Sequence, residues 1–211
     1  MKTAHFSRLS VAIGLCAASF LAPAADPAAN PTTDSNTAKA SAIFAGGCFW
    51  CIEADFEKLP GVIEAESGYT AGQTPNPTYE TVSAGSTGHT EAVRVFYDPN
   101  RVSYAQLVEY FWRHIDPTVK DRQFCDVGSQ YRSGIYWQGE VEQKVAEDSR
   151  DALLKSARFP VIHTEVLPAT TFWPAEEYHQ DYYKKNPLRY GYYRTSCGRD
   201  ARVKQVWQEK N

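Results

Sequence analysis

The spacing of hydrophobic positions changes several times along the chain, and each change predicts an element. Ile43, Phe44 and Ala45 form a short unbroken apolar run, which reads as a buried strand. After Gly46-Gly47, the residues Ile52, Phe56 and Leu59 recur at intervals of four and three. They predict a helix from about Phe49 to Leu59, ended by Pro60-Gly61. Val62 to Tyr69 reads as a second strand, and Thr70 to Pro77, rich in Gly and Pro, as a loop. From Glu91 to Tyr97 the pattern alternates, with Val93, Val95 and Tyr97 on one face and Ala92, Arg94 and Phe96 on the other. Asp98-Pro99-Asn100 turns the chain. Ser103 with Gln106 then predicts a capping box at the head of a helix to about Ile115, with Leu107, Phe111 and His114 on one side. A long loop from Asp116 to Gln130 follows, then a strand from Tyr131 to Trp137. A helix is predicted from Glu140 to Ala157 with Val141, Val145, Ala152 and Leu153 as its stripe, and a strand from Val161 to Leu167. A helix from beyond Pro174 to Lys185 is expected, whereas the aromatic and basic segment from Pro187 shows no clear period.

Strands and helices mix without strict alternation. The expected class is α+β, a two-layer sandwich of a mostly antiparallel sheet with helices, having a ferredoxin-like core and long loops. Loops of that length in a compact domain point to function.

The front of the chain has a different character. Lys2 and Arg8 precede an apolar run from Leu9 to Leu21, and Ala22-Pro23-Ala24 suits signal cleavage, so residues 1–24 read as a signal peptide. The run is short for a permanent span. Cys16 follows a bulky Leu15 where a lipoprotein signal needs a small residue. Residues 25–40, built of Ala, Pro, Asn, Thr and Ser, read as a disordered linker, and residues 41–211 as one catalytic domain. Residues 1–24 hold one Lys, one Arg and no acid, so their removal leaves 20 basic against 25 acidic residues, about −5. That balance argues against nucleic acid or an anionic membrane as partner.

The exported chain would keep Cys48, Cys51, Cys125 and Cys197. An even number in an oxidising compartment fits two structural bridges. A domain of this size, however, does not need staples. Cys48 also sits where a strand ends and a helix begins, where unpaired N–H groups favour thiolate over thiol. The spacing Cys48-Phe49-Trp50-Cys51 belongs to redox or metal chemistry. Four readings stay open on the residues alone: a cysteine-based enzyme, an exported thiol–disulfide oxidoreductase, a Cys/His metal-binding module, and a secreted domain stapled by two bridges and without activity.

Gly47-Cys48-Phe49-Trp50-Cys51 resembles the signature of the type A peptide methionine sulfoxide reductases. Further blocks follow in that family's order: Gly68-Tyr69-Thr70 with Asn76-Pro77-Thr78-Tyr79, then Gly88-His89-Thr90-Glu91-Ala92-Val93, then Phe111-Trp112 with Asp116-Pro117. Gly128-Ser129-Gln130-Tyr131-Arg132-Ser133 and Ala175-Glu176-Glu177-Tyr178-His179-Gln180 with Asn186-Pro187 complete the set. The resemblance spans about Phe44 to Cys197. It implies reduction of methionine S-sulfoxide, free or in proteins, to methionine. Cys48 would attack the sulfoxide sulfur and become a sulfenic acid. Glu91 would be the general acid, which requires burial to hold its proton near neutral pH. Tyr79 and Tyr131 would donate to the oxygen, Phe49 and Trp50 would cage the methyl group, and Asp126 would help hold substrate and water. Outside this context a lone tyrosine among thirteen is packing, and a glutamate at a strand head is a solvated edge residue.

A sulfenic acid must be resolved by a second thiol. Cys51, one helical turn away, and Cys197, in a Ser-Cys-Gly context near the C-terminus, are the leading candidates, with Cys125 behind them. Many family members lack a cysteine at the position of Cys51. The resulting disulfide would be reduced by an exported thioredoxin-like protein, without any bound cofactor or metal, in the periplasm and by a monomeric enzyme. Among the histidines, His179 lies in a family motif but takes no assigned chemistry. Arg189, Arg194, Arg199 and Arg202 are expected to form a solvated face.

Overall fold

The computed structural model describes residues 39–208, together with Met1. The expected signal segment and all of the expected linker before residue 39 lie outside the described residues. Strand β1 (Ala40–Gly46) leads into α1 (Phe49–Phe56), and β2 (Val62–Thr70) follows. A short α2 (Tyr79–Ser83) precedes β3 (Thr90–Tyr97) and α3 (Tyr104–Trp112). The loop after α3 contains a small hairpin, β4 (Arg122–Gln123) and β5 (Asp126–Val127), and a 3-10 turn at Ser129–Tyr131. Next come β6 (Ser133–Trp137), α4 (Glu140–Lys155), β7 (Glu165–Pro168) and β8 (Trp173–Pro174). Three helices close the chain: α5 (Tyr182–Lys185), α6 (Pro187–Ser196) and α7 (Arg199–Trp207). No helix among the described residues is long and apolar enough to cross a membrane.

The six-stranded sheet has the order β7-β6-β1-β3-β2-β8. Its pairings are antiparallel except for β6 with β7. The segment β1-α1-β2-β3-α3-β6, with spatial order β6-β1-β3-β2, is the split β-α-β arrangement of the ferredoxin-like core. Alternation along the strands sets the layers. Phe44, Val93 and Val95 face the main core with Phe49, Ile52 and Phe56 of α1 and Leu107, Val108 and Phe111 of α3. Ile43, Ala45, Ala92 and Tyr136 face the other side, where Ala169 and Phe172 cover them.

The capping box at Ser103 is present, with Ser103 and Gln106 bonding each other's backbone N–H groups. Other expectations need correction. In α4, Val141 of the expected stripe is 81% exposed, Val145 and Leu153 pack against the core, and the fully buried residue is Ala146, outside that stripe. The expected helix from Pro174 to Lys185 is reduced to its last four residues. Asp181 adopts a left-handed φ of 53°, while Gln180 turns inward to bond the N–H and C=O of Ser67 on β2. Tertiary hydrogen bonds thus override local propensity there. The segment without an assignment from Pro187 forms α6 and α7, with Pro187 at the first helical position, where a missing N–H costs nothing.

Candidate active site

The turn from β1 into α1 needs its glycines. Gly47 has a φ of +83°, and a Cβ there would meet Gln123 Cβ at 2.6 Å. Gln123 is itself buried and bonds both backbone groups of Asp116, so the hairpin β4–β5 lies hard against the turn. Cys48 emerges at the N-cap of α1 and is 6% exposed. The N–H of Phe49, one of the unpaired donors of that helix start, donates to Glu91 Oε2 at 3.0 Å.

Glu91 stands at the head of β3 and is buried. Burial pushes its carboxyl up to about 8, opposed by the Phe49 N–H and reinforced by the charges of Asp126 and Cys51. At neutral pH it holds its proton. Around it, Cys48, Phe49, Trp50, Tyr79, Asp126, Tyr131 and Tyr193 line a cavity of about 70 Å³. The residues come from five separate parts of the fold: the start of α1, the head of α2, β5, the 3-10 turn and α6. Burial, and next the neighbouring Glu91, raise Tyr79 and Tyr131 above the ordinary phenol value, so both remain O–H donors. Asp126 is also raised, chiefly by burial. It accepts from Tyr193 at 2.6 Å.

The thiols differ from the expectation for a helix N-terminus. Burial raises Cys48 well above the ordinary thiol value, helped by its hydrogen bond to Cys51 and by the charges of Cys51 and Glu91, while a hydrogen bond from Tyr193 opposes the rise. Cys51 goes the other way, down to about 7. Its hydrogen bond to Cys48 is the main cause, burial works against it, and Arg199 and Arg194 assist. The pair therefore releases its first proton from Cys51, because desolvation at Cys48 outweighs the partial charge of the helix end.

The cations that lower Cys51 come from the segment read as a solvated basic face, and this needs correction. Arg199 is 1% exposed and donates to the carbonyls of Gly46 and His114. Arg194 pairs with the buried Asp55 at 2.9 Å, and Arg202 with the buried Asp116 at 2.7 Å. Of the four, only Arg189 makes no ion pair among the described residues.

Of the three candidate resolving thiols, Cys125 and Cys197 form a disulfide with each other, whereas Cys48 and Cys51 are free. That bridge ties β5, next to Asp126, to the end of α6, four residues from Tyr193. Among the described residues, no cluster of three metal-ligating side chains includes Cys48 or Cys51, so the metal-binding alternative lacks its ligand set.

Tyr193 gains a position that the sequence did not give it, and His179, expected near the site from its motif, takes one behind the aromatic wall. Tyr193 lines the cavity beside Cys48 and donates its hydroxyl to Asp126. His179 is buried, its Nδ1 accepting the Trp50 indole N–H at 3.0 Å and its ring 4.4 Å from that of Tyr79. Burial lowers its pKa, so the imidazole is neutral and braces the aromatic wall. Glu176 supports the same wall, accepting from the Tyr79 N–H and the Tyr69 hydroxyl. The motif around Glu176 and His179 was visible in the sequence; nothing local distinguished Tyr193 from its tyrosine neighbours.

A family model for peptide methionine sulfoxide reductases matches residues 40–211. Peptide methionine sulfoxide reductase MsrA 2 of Caulobacter vibrioides is 50% identical over 167 residues, covering 79% of this chain and 85% of the relative. The MsrA of Bacillus licheniformis is 47% identical, covering 81% of this chain and 94% of the relative. Among solved structures, methionine sulfoxide reductase A of Corynebacterium diphtheriae has 38% identity and a TM-score of 0.64, covering 71% of this chain and 76% of that one. Reduced Mxr1 from Saccharomyces cerevisiae has 31% identity and a TM-score of 0.65, covering 71% of this chain and 87% of that one.

Proposed function

The chain belongs to the peptide methionine sulfoxide reductase family, and on that footing we propose how its own residues reduce methionine S-sulfoxide to methionine. The observation that carries the mechanism is a buried carboxyl held neutral beside a cysteine, with two tyrosine donors facing the same small cavity. The sulfoxide methyl group rests on Phe49 and Trp50, where sulfur and methyl groups pack well on aromatic rings. Its oxygen meets the hydroxyls of Tyr79 and Tyr131 and the acid proton of Glu91. As negative charge grows on that oxygen, donors already in place stabilise it without reorganisation.

Cys48 attacks the sulfoxide sulfur as a thiolate. The proton it loses passes to Cys51, the lowered member of the pair, and Glu91 gives its own to the oxygen. The attack forms a sulfur–sulfur bond; that bond and the substrate's sulfur–oxygen bond then break as the hydroxyl passes to the Cys48 sulfur, and methionine leaves. Substrate sulfur gains two electrons and Cys48 sulfur gives them up. Cys51, hydrogen-bonded to Cys48 and titrating at about 7, then attacks the sulfenic acid. A disulfide forms and water departs. Cys51 takes the resolving step because Cys125 and Cys197 are already engaged with each other.

A dithiol protein must return the Cys48–Cys51 disulfide to thiols. The apolar segment from Leu9 to Leu21 behind a basic start supports an exported, periplasmic enzyme and therefore an exported thioredoxin-like donor. The test of the activity is turnover of the separate S and R epimers of a methionine sulfoxide peptide with dithiothreitol, alongside Cys48→Ser. Consumption of the S epimer alone, abolished by the substitution, is the expected result. Turnover of neither epimer would overturn the reading.

A further inference from the structure

Beside the catalytic cavity, with Trp50 and Tyr193 as shared walls, lies a second and larger concavity of about 470 Å³. It is lined by Trp50, Tyr182, Leu188, Arg189, Tyr192 and Tyr193. The Trp50 indole stacks on Tyr182 with ring centroids 3.8 Å apart and planes 7° apart, and Tyr193 meets Trp50 edge-on at 6.0 Å. These walls are fixed before anything binds. Leu188 and Tyr192 are 87% and 77% exposed. They lie four residues apart on α6, on one face of the helix.

Isolated exposed apolar residues need no explanation. Here two of them share one hollow with three packed aromatic rings, and that hollow shares Trp50 and Tyr193 with the site of reaction. The catalytic cavity, at about 70 Å³, has room for the end of one methionine side chain and not for its neighbours along a polypeptide. A peptide whose sulfoxide reaches Cys48 must lay its adjacent residues on the surface around the mouth, of which Trp50 and Tyr193 form one side. Arg189, without an ion-pair partner among the described residues, offers its N–H groups at the rim to main-chain carbonyls of such a peptide.

We propose that this concavity is a specificity subsite, receiving an aromatic or branched aliphatic side chain next to the oxidised methionine of a polypeptide substrate. The proposal rests on the sulfoxide reductase reading given above. Rigid aromatic walls bind such a side chain with little ordering cost, which turns contact area into selectivity.

The experiment compares two short peptides that carry S-methionine sulfoxide and differ only in its neighbours, phenylalanine or serine, on the purified protein and on Leu188→Ser/Tyr192→Ser. N-acetylmethionine S-sulfoxide, which has no neighbouring side chain, is the reference substrate. Wild type should favour the phenylalanine peptide by about tenfold in kcat/KM, the scale of one apolar pocket contact. The preference should lie in KM, and the double variant should bring it to about one. No preference in wild type, or a preference that survives the double substitution, would overturn the subsite. Loss of turnover on all three substrates, N-acetylmethionine S-sulfoxide included, would count against the reductase reading instead. Calorimetric binding of the two peptides to both proteins then decides the subsite alone: a tenfold difference confined to wild type keeps it, and equal affinities overturn it.

Discussion

The two cysteine pairs of this domain share a side chain and almost nothing else. Cys48 and Cys51 are buried, unbridged and joined by a hydrogen bond, with two arginines drawing Cys51 toward the thiolate. Cys125 is exposed and bonded to Cys197 across 72 positions of sequence. One pair is placed for chemistry and the other holds apart-lying elements together. What separates them is environment: α1 confines the first pair to one helical turn within an aromatic pocket, whereas the second fastens the β4–β5 hairpin to the end of α6. Both nonetheless serve one site, since the bridge secures the strand bearing Asp126 and the helix bearing Tyr193.

The sharpest way to break the comparison is Cys48→Ser. Removing the nucleophile should lower kcat by roughly 10⁴-fold or more, while near-ultraviolet circular dichroism stays native. Next comes Glu91→Gln, which keeps a hydrogen-bonding group of similar size but no acid proton. Its kcat should fall by roughly 10²–10⁴-fold, the range for a lost general acid. The pH profile carries a further signature. Wild-type activity should rise with pH through about 7 as the thiol pair ionises, and fall through about 8 as Glu91 loses its proton. Glu91→Gln should keep the acid limb and lose the alkaline one. Stability gives an independent check of sign. The folded carboxyl titrates at about 8 against an ordinary 4.5, so the unfolded chain ionises first and wild-type stability falls as pH rises between those values. The stability difference should therefore shift in favour of Glu91→Gln across that window, read from Tm at pH 5 and pH 8; an unchanged difference would refute the neutral carboxyl.

Cys51→Ser tests the division of labour within the buried pair. A single turnover should still yield one methionine per enzyme, leaving a sulfenic acid that a dimedone-type reagent traps. Steady-state turnover with a protein dithiol should drop by roughly tenfold or more, since the exchange then lacks an accessible disulfide. Full protein-driven turnover in Cys51→Ser would shift the resolving role to Cys197 or Cys125.

Much of this architecture was legible in the chain. Alternation in β3 and the Ser103–Gln106 box have local causes, one residue pattern and one hydrogen-bonded turn, so sequence suffices for them. Motif order names the residues around the cavity except Tyr193, and their convergence has a topological reason: β1 and β3 are neighbours, which sets the head of α1 beside Glu91. What sequence concealed depends on distant partners. Arg199 looked like a surface cation until Gly46, His114 and Asp55 enclosed it. Helix α6 carries aromatic and basic residues with no simple stripe, because Tyr190 and Tyr193 pack onto the cysteines while Leu188 and Tyr192 face outward. The helix-end effect, which is local, points to Cys48 as the lowered thiol; the desolvation that reverses it is a property of the closed pocket.

The smallest effect on turnover is expected from the exposed bridge. In Cys125→Ser/Cys197→Ser, the unfolded chain regains the freedom of a 72-residue closure, worth up to about 4 kcal/mol in a chain-entropy account. Chemical denaturation without reductant should show that loss. Activity with dithiothreitol should change far less, because Cys48, Cys51 and Glu91 are positioned by β1, α1 and β3 and not by the bridge. Any catalytic change should lie in KM, through looser placement of Asp126 and Tyr193. If the double variant kept its stability but lost kcat, the bridge would belong to the redox cycle, and the contrast between a reacting pair and a fastening pair would collapse.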